Sequence, residues 1–197
     1  WSEPVLVTGA SEVEGWSSPF RLLGRLAEGE LDDTTVSVGS GAGTAFFNGA
    51  GSSAMSLGEF KKRMGRDDFV FDTQNSAAGR HAELPIPGVP VSSADPWWNI
   101  VSVGAQDAGL ALHEHGAAWL ALAAGGNMGK QWAVWPPHGS SAHASQGRPA
   151  TEQVVSWFKG LSGTSIASEG MLACLQPPGS VVLLPQGWAH ATRNVPL

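Results

Sequence analysis

The stretch PPGSVVLLPQGWAHATRNV, residues 177–195, decides how the rest of the chain is read. Residues 181–184 form a short apolar run of the kind that suits a buried strand. Pro185 and Gly187 follow. Proline has no N–H for a ladder hydrogen bond and glycine permits an unusual turn, so the pair fits a hairpin corner. The chain then reverses into a second strand that carries His190. The spacing is G-x5-P-x-G-x2-H-x3-N, on Gly179, Pro185, Gly187, His190 and Asn194.

A corner that aims one histidine inward asks for partners. GLALHEHGAAWLAL, residues 109–122, supplies two. Side chains alternate faces along a strand, so His113 and His115 share a face and Glu114 takes the other. Glu114 is therefore not expected to be a ligand. Two histidines on one strand and one on another form a facial set of three. Three neutral imidazoles leave a divalent ion its full charge, which suits Zn(II) with a bound hydroxide or a three-histidine iron. A pocket without metal is the alternative. His81, His138 and His143 read as surface loop residues.

Bulk composition narrows the function class. The chain has 197 residues, 42% hydrophobic and 14% charged, which favours one compact domain over a disordered chain. Net charge is −6 and the longest basic cluster is KKR at 61–63, which argues against nucleic-acid binding. No apolar run reaches the length of a membrane span. The lone Cys174 forms no internal disulfide and reads as a buried small hydrophobe. Among nine tryptophans, Trp97, Trp98, Trp132, Trp135 and Trp188 read as core and rim packing. The first residue is Trp1 rather than Met. A processed leader or a missing upstream segment is the expectation, and an organelle or lumenal compartment stays open.

Strand signals outnumber helix signals. PVLVTG at 4–9 reads as a strand, and SPFRLLGRLAEG at 18–29 as a helix. Residues 34–49 read as two strands about a glycine-rich turn. The GSGAG within them lacks the G-K-[ST] ending of a phosphate loop. SLGEFKKRMG at 56–65 reads as a helix with Ser56 at its cap and Glu59 three residues on. DDFVFDT at 67–73 is a strand, and 74–97 an irregular connection. Strand signals then recur at 99–104, 109–115, 117–123, 130–135, 171–176, 180–185 and 188–194. A loop at 136–149 and a helix at about 150–161 interrupt them. Short strands with turns between them suggest a sandwich or barrel. The expected fold is an all-β core with flanking helices in one domain, 1–197. Residues 1–98 form its flanking part and 99–197 its barrel core.

The motif about His190 matches the second motif of the cupins. The whole C-terminal half resembles their JmjC-type branch, whose pattern is an H-x-D strand, then G-x-K-x-W-x-L-x-P-P, then a GW-x-H-x3-N ending. Here the middle element is GKQWAVWPP at 129–137. EPVLVTGASEVEGW and DDFVFDTQ also resemble family segments. The resemblance implies a double-stranded β-helix, or jelly-roll, barrel. It implies an Fe(II)- and 2-oxoglutarate-dependent oxygenase acting on a protein side chain, with metal on His113, His115 and His190. Lys130 aligns with the family lysine that pairs with the distal carboxylate of 2-oxoglutarate, and Asn194 keeps its place as a cosubstrate contact.

Three features depart from the pattern. His115 stands where the family has its carboxylate ligand. Lys130 comes after three extra residues. Trp119, six beyond His113, and Leu110, three before it, are apolar where polar groups often serve the cosubstrate; Trp119 reads as a core aromatic. A catalytically degenerate barrel, serving as a structural or protein-interaction subunit of a larger assembly, is therefore the second reading.

Overall fold

The computed structural model describes residues 2–14, 20–21, 24–25, 28–39, 53–65, 68–72, 101–116, 118–123, 127–137, 154–161 and 170–197. These form antiparallel sheets with two short helices. His81, His138, His143, Trp97, Trp98 and the GSGAG turn lie outside the described residues, as do the connection at 74–97 and most of the 136–149 loop. The described residues of the 18–29 stretch, such as Phe20, Arg25 and Glu28, are helical as expected.

An N-terminal unit is built from β2 (Thr35–Gly39), β3 (Ser53–Ser56), β4 (Phe69–Asp72) and β5 (Val101–Gly104), in the order β3-β2-β4-β5. β2 alternates as a half-buried strand should, with Val36 and Val38 inside and Thr35 and Ser37 outside. Helix α1 (Leu57–Arg63) begins where expected. Ser56 Oγ accepts the Glu59 backbone N–H at 3.1 Å, while the Glu59 carboxylate accepts from Arg63 at 2.6 Å. Leu57 and Phe60 of α1 pack on Val36, Val38 and Val70. The strand at 53–56 was not anticipated.

The C-terminal part has two further sheets. One runs β6 (Gly109–His113), β11 (Ala189–Pro196), β8 (Met128–Trp135), β9 (Leu172–Gln176). The other runs β1 (Val5–Val7), β10 (Ser180–Leu184), β7 (Trp119–Ala123). Their facing sides share a core of Trp132, Val134, Val182 and Leu184, with Leu6, Ala121, Cys174 and Trp188 packed against it. The outer side of the first sheet is covered by α2 (Val154–Gly160), through Trp157 and Phe158 against Ala133, Trp135, Ala189 and Ala191. Around residues 132–135 both faces of that sheet are thus packed with apolar side chains, which explains why that end of β8 is buried without a break.

Gln176 ties the two sheets together. It is fully buried, its Oε1 accepts from Trp132 Nε1 at 2.8 Å, and its Nε2 donates to the carbonyls of Ala121 at 2.9 Å and Ser180 at 3.2 Å. Every polar atom of the amide is used, as burial demands.

One expectation needs correction. β6 ends at His113 and β7 begins at Trp119 in a different sheet. The expectation that His113 and His115 alternate along one extended strand therefore fails, because the strand stops at His113. The Trp119 backbone pairs with Leu184, and its side chain lies outside the described residues.

Candidate metal centre

His190 stands near the start of β11, directly opposite His113 of β6 and Val134 of β8. Opposed residues share a face, and Val134 belongs to the core between the sheets. His190 and His113 therefore both face the interior. The close pairing of β6 with β11 depends on Gly109, where an added Cβ would meet Thr192 O at 1.9 Å. The ladder shifts register between His190 and Thr192.

His115 arrives by another route. It lies two residues past the end of β6, and its carbonyl accepts the Gly187 N–H at 3.3 Å. Gly187 has φ +77°, the left-handed conformation that glycine adopts without strain. The Pro185–Gly187 corner thus aims His190 and also holds the segment that carries His115.

The three rings meet. Centroids are 4.2 Å apart for His113 and His190, 5.0 Å for His113 and His115, and 5.1 Å for His115 and His190. One ligating nitrogen from each lies within 4.8 Å of the others. Nitrogens on a common ion with bonds of about 2.1 Å stand roughly 3–3.5 Å apart, so small side-chain rotations close the set. Glu114 is exposed.

Electrostatics keep the donors available. Burial, then the neighbouring His113, pushes the His115 pKa down to about 4. His190 is pushed well below its usual value by burial, then by His113 and His115, with Lys130 adding to the effect and the Trp188 carbonyl opposing it. Both rings are neutral at pH 7 and offer a lone pair. His190 Nδ1 lies 3.2 Å from the Trp188 carbonyl, which can only accept. The proton therefore sits on Nδ1 and leaves Nε2 free to ligate. Trp132, whose indole is held by Gln176, backs the His190 ring at 5.5 Å.

Lys130 and Asn194 are cross-strand partners on the same interior face, four residue pairs along from Val134 and His190. Lys130 Nζ donates to Asn194 Oδ1 at 3.2 Å, and burial pushes its pKa down to about 8. Asn194 Nδ2 donates to the carbonyls of Gly104 at 3.0 Å and Ala105 at 3.2 Å. Its main chain bonds Asp107 and Ala108. Asn194 is thus the strut that fastens the β5–β6 turn to β11, and through it the lysine.

Gln176 and Thr192 are among the buried polar residues missed in the sequence. Thr192 is buried, and its hydroxyl accepts the N–H of Leu110 at 3.3 Å, so the interior face has a hydroxyl beside the apolar Leu110. Neither residue carries a local signal. Their burial follows from which sheet lies opposite.

Among the described residues no helix is long and apolar enough to cross a membrane. No protein-family model matches the chain, and no curated protein matches it significantly.

Proposed function

We propose that this chain is a divergent JmjC-type, cupin-like protein whose His113, His115 and His190 hold a divalent metal for 2-oxoglutarate-dependent oxygenation of a protein side chain. The observation that carries the reading is the convergence of three imidazoles, with ligating atoms within 4.8 Å of one another, on an interior face. The alternation of β6 and β7, and of β9, β10 and β11, between facing sheets supports a double-stranded β-helix.

Bound Fe(II) with 2-oxoglutarate supplies the oxidising chemistry of such a site. The chain's own residues do the rest. His113, His115 and His190 would ligate, the Trp188 carbonyl fixes the His190 tautomer, and the Lys130 ammonium would attract the far carboxylate of the cosubstrate. Among the described residues Lys130 has no carboxylate partner, so an anionic ligand is what its interior position calls for.

A second reading, a degenerate barrel that acts as a structural or protein-interaction subunit, draws on Asn194. Its amide nitrogen is committed to the Gly104 and Ala105 carbonyls, as a purely structural residue's would be. Elemental analysis of the purified protein, then succinate release from 2-oxoglutarate with added Fe(II), separates the two. The oxygenase reading expects metal uptake that is lost in His113→Ala and His190→Ala, with turnover in the wild type. Metal uptake with no turnover would favour a metal-stabilised structural role, and neither would favour the degenerate barrel.

A further inference from the structure

The three ligands bring no negative charge to the centre. The buried carboxylate among the described residues, on Asp107, is not part of that cluster. Glu114 is exposed, Asp107 lies beside Arg193 at 4.0 Å, and the metal-holding cluster consists of histidines alone. Lys130 adds positive charge to the same interior face, where its ammonium acts on His190. A divalent ion held here keeps its full charge in a partly dry site, where electrostatic interactions are stronger than in water.

We propose that the loaded His113–His115–His190 centre takes one small monoanion, of the halide or pseudohalide class, directly on the metal. This anion supplies the negative charge that a carboxylate at position 115 would have brought. The step is a ligand exchange: the anion displaces a bound water, and nothing is oxidised or reduced. The inference rests on the metal reading above and assigns the ligand class that this particular donor set selects.

The test uses the whole chain loaded with Co(II), whose visible spectrum reports its coordination, titrated with sodium azide at constant ionic strength. The expected result is one equivalent of azide bound with a clear spectral change. In His115→Asp, which places a carboxylate in the set, azide affinity falls at least tenfold while Co(II) remains bound. His115→Glu makes the same comparison if the aspartate variant does not fold, as judged by circular dichroism. Cobalt bound with no response to azide overturns the inference, as does equal azide affinity in the wild type and the carboxylate variants. A wild-type protein that takes up no cobalt instead removes the metal reading itself.

Discussion

Replacing Gln176 by methionine keeps the volume of the side chain and removes its hydrogen bonds. Three groups then lose their partner: the Trp132 indole N–H and the Ala121 and Ser180 carbonyls. An orphaned buried donor costs about 1–3 kcal/mol. The two carbonyls, each with a second lone pair, add roughly 1 kcal/mol apiece. Burying the thioether gains back about 1 kcal/mol. The net loss is about 3 kcal/mol, or roughly 6–12 °C in Tm for a chain of this size. Urea denaturation of Gln176→Met beside the wild type measures it. The same variant should weaken metal binding, because Trp132 backs His190 at 5.5 Å. A loss under about 1 kcal/mol would refute the reasoning, since the amide could not then be joining the two sheets.

Gly109→Ala places a Cβ at 1.9 Å from Thr192 O, so β6 and β11 must separate; loss of about 3 kcal/mol or more and of metal uptake is expected, and a near-wild-type urea midpoint would contradict the register. Gly187→Ala should weaken metal binding several-fold through strain at φ +77°, whereas Gly187→Asn, which tolerates that conformation, should retain it. Isothermal titration with Zn(II) tests both, and equal affinities would show that the corner does not hold His115. The metal-free protein should lose stability as pH falls from 6.5 toward 4. The His115 pKa is lowered from 6.5 to about 4 in the fold, so the unfolded chain binds more protons across that window. Discounted for the partial exposure of His115, the loss is on the order of 1–2 kcal/mol, and urea midpoints that stay flat between pH 6.5 and 4.5 would count against it.

The C-terminal strands were legible because their turns are chemically marked. Pro185 and Gly187 fix one corner, and strands after residue 99 fall within two residues of their expected ends. The helix start at Ser56 was legible because a cap is a local device. The strand at 53–56 was not, since SAMS has neither alternation nor β-branched residues and is held by pairing with β2. The three histidines were legible as a set, but for a partly mistaken reason. Alternation places His113, while His115 owes its position to a backbone bond from Gly187, 72 positions on by the numbering of the chain. Contacts that distant leave no periodic trace. Gln176 and Thr192 were hidden for the same cause.

The interior face between the sheets also bears on why these residues stand together. Along β11 it carries His190, Thr192 and Asn194, and along β8 Val134, Trp132 and Lys130. The histidine row and the lysine row are four residues apart, roughly 13 Å along the strands. Trp132 lies between them, with its indole turned to Gln176. A pair of sheets packed only for stability would place apolar side chains at both ends of such a face, because a buried ammonium without a carboxylate is destabilising. Among the described residues Asn194 offers Lys130 a neutral acceptor. A cation at the histidine end and an anion reaching toward the lysine end would satisfy both rows at once. The same polar set is difficult to account for as packing alone, and this is the physical ground on which the proposed ligand-binding role rests.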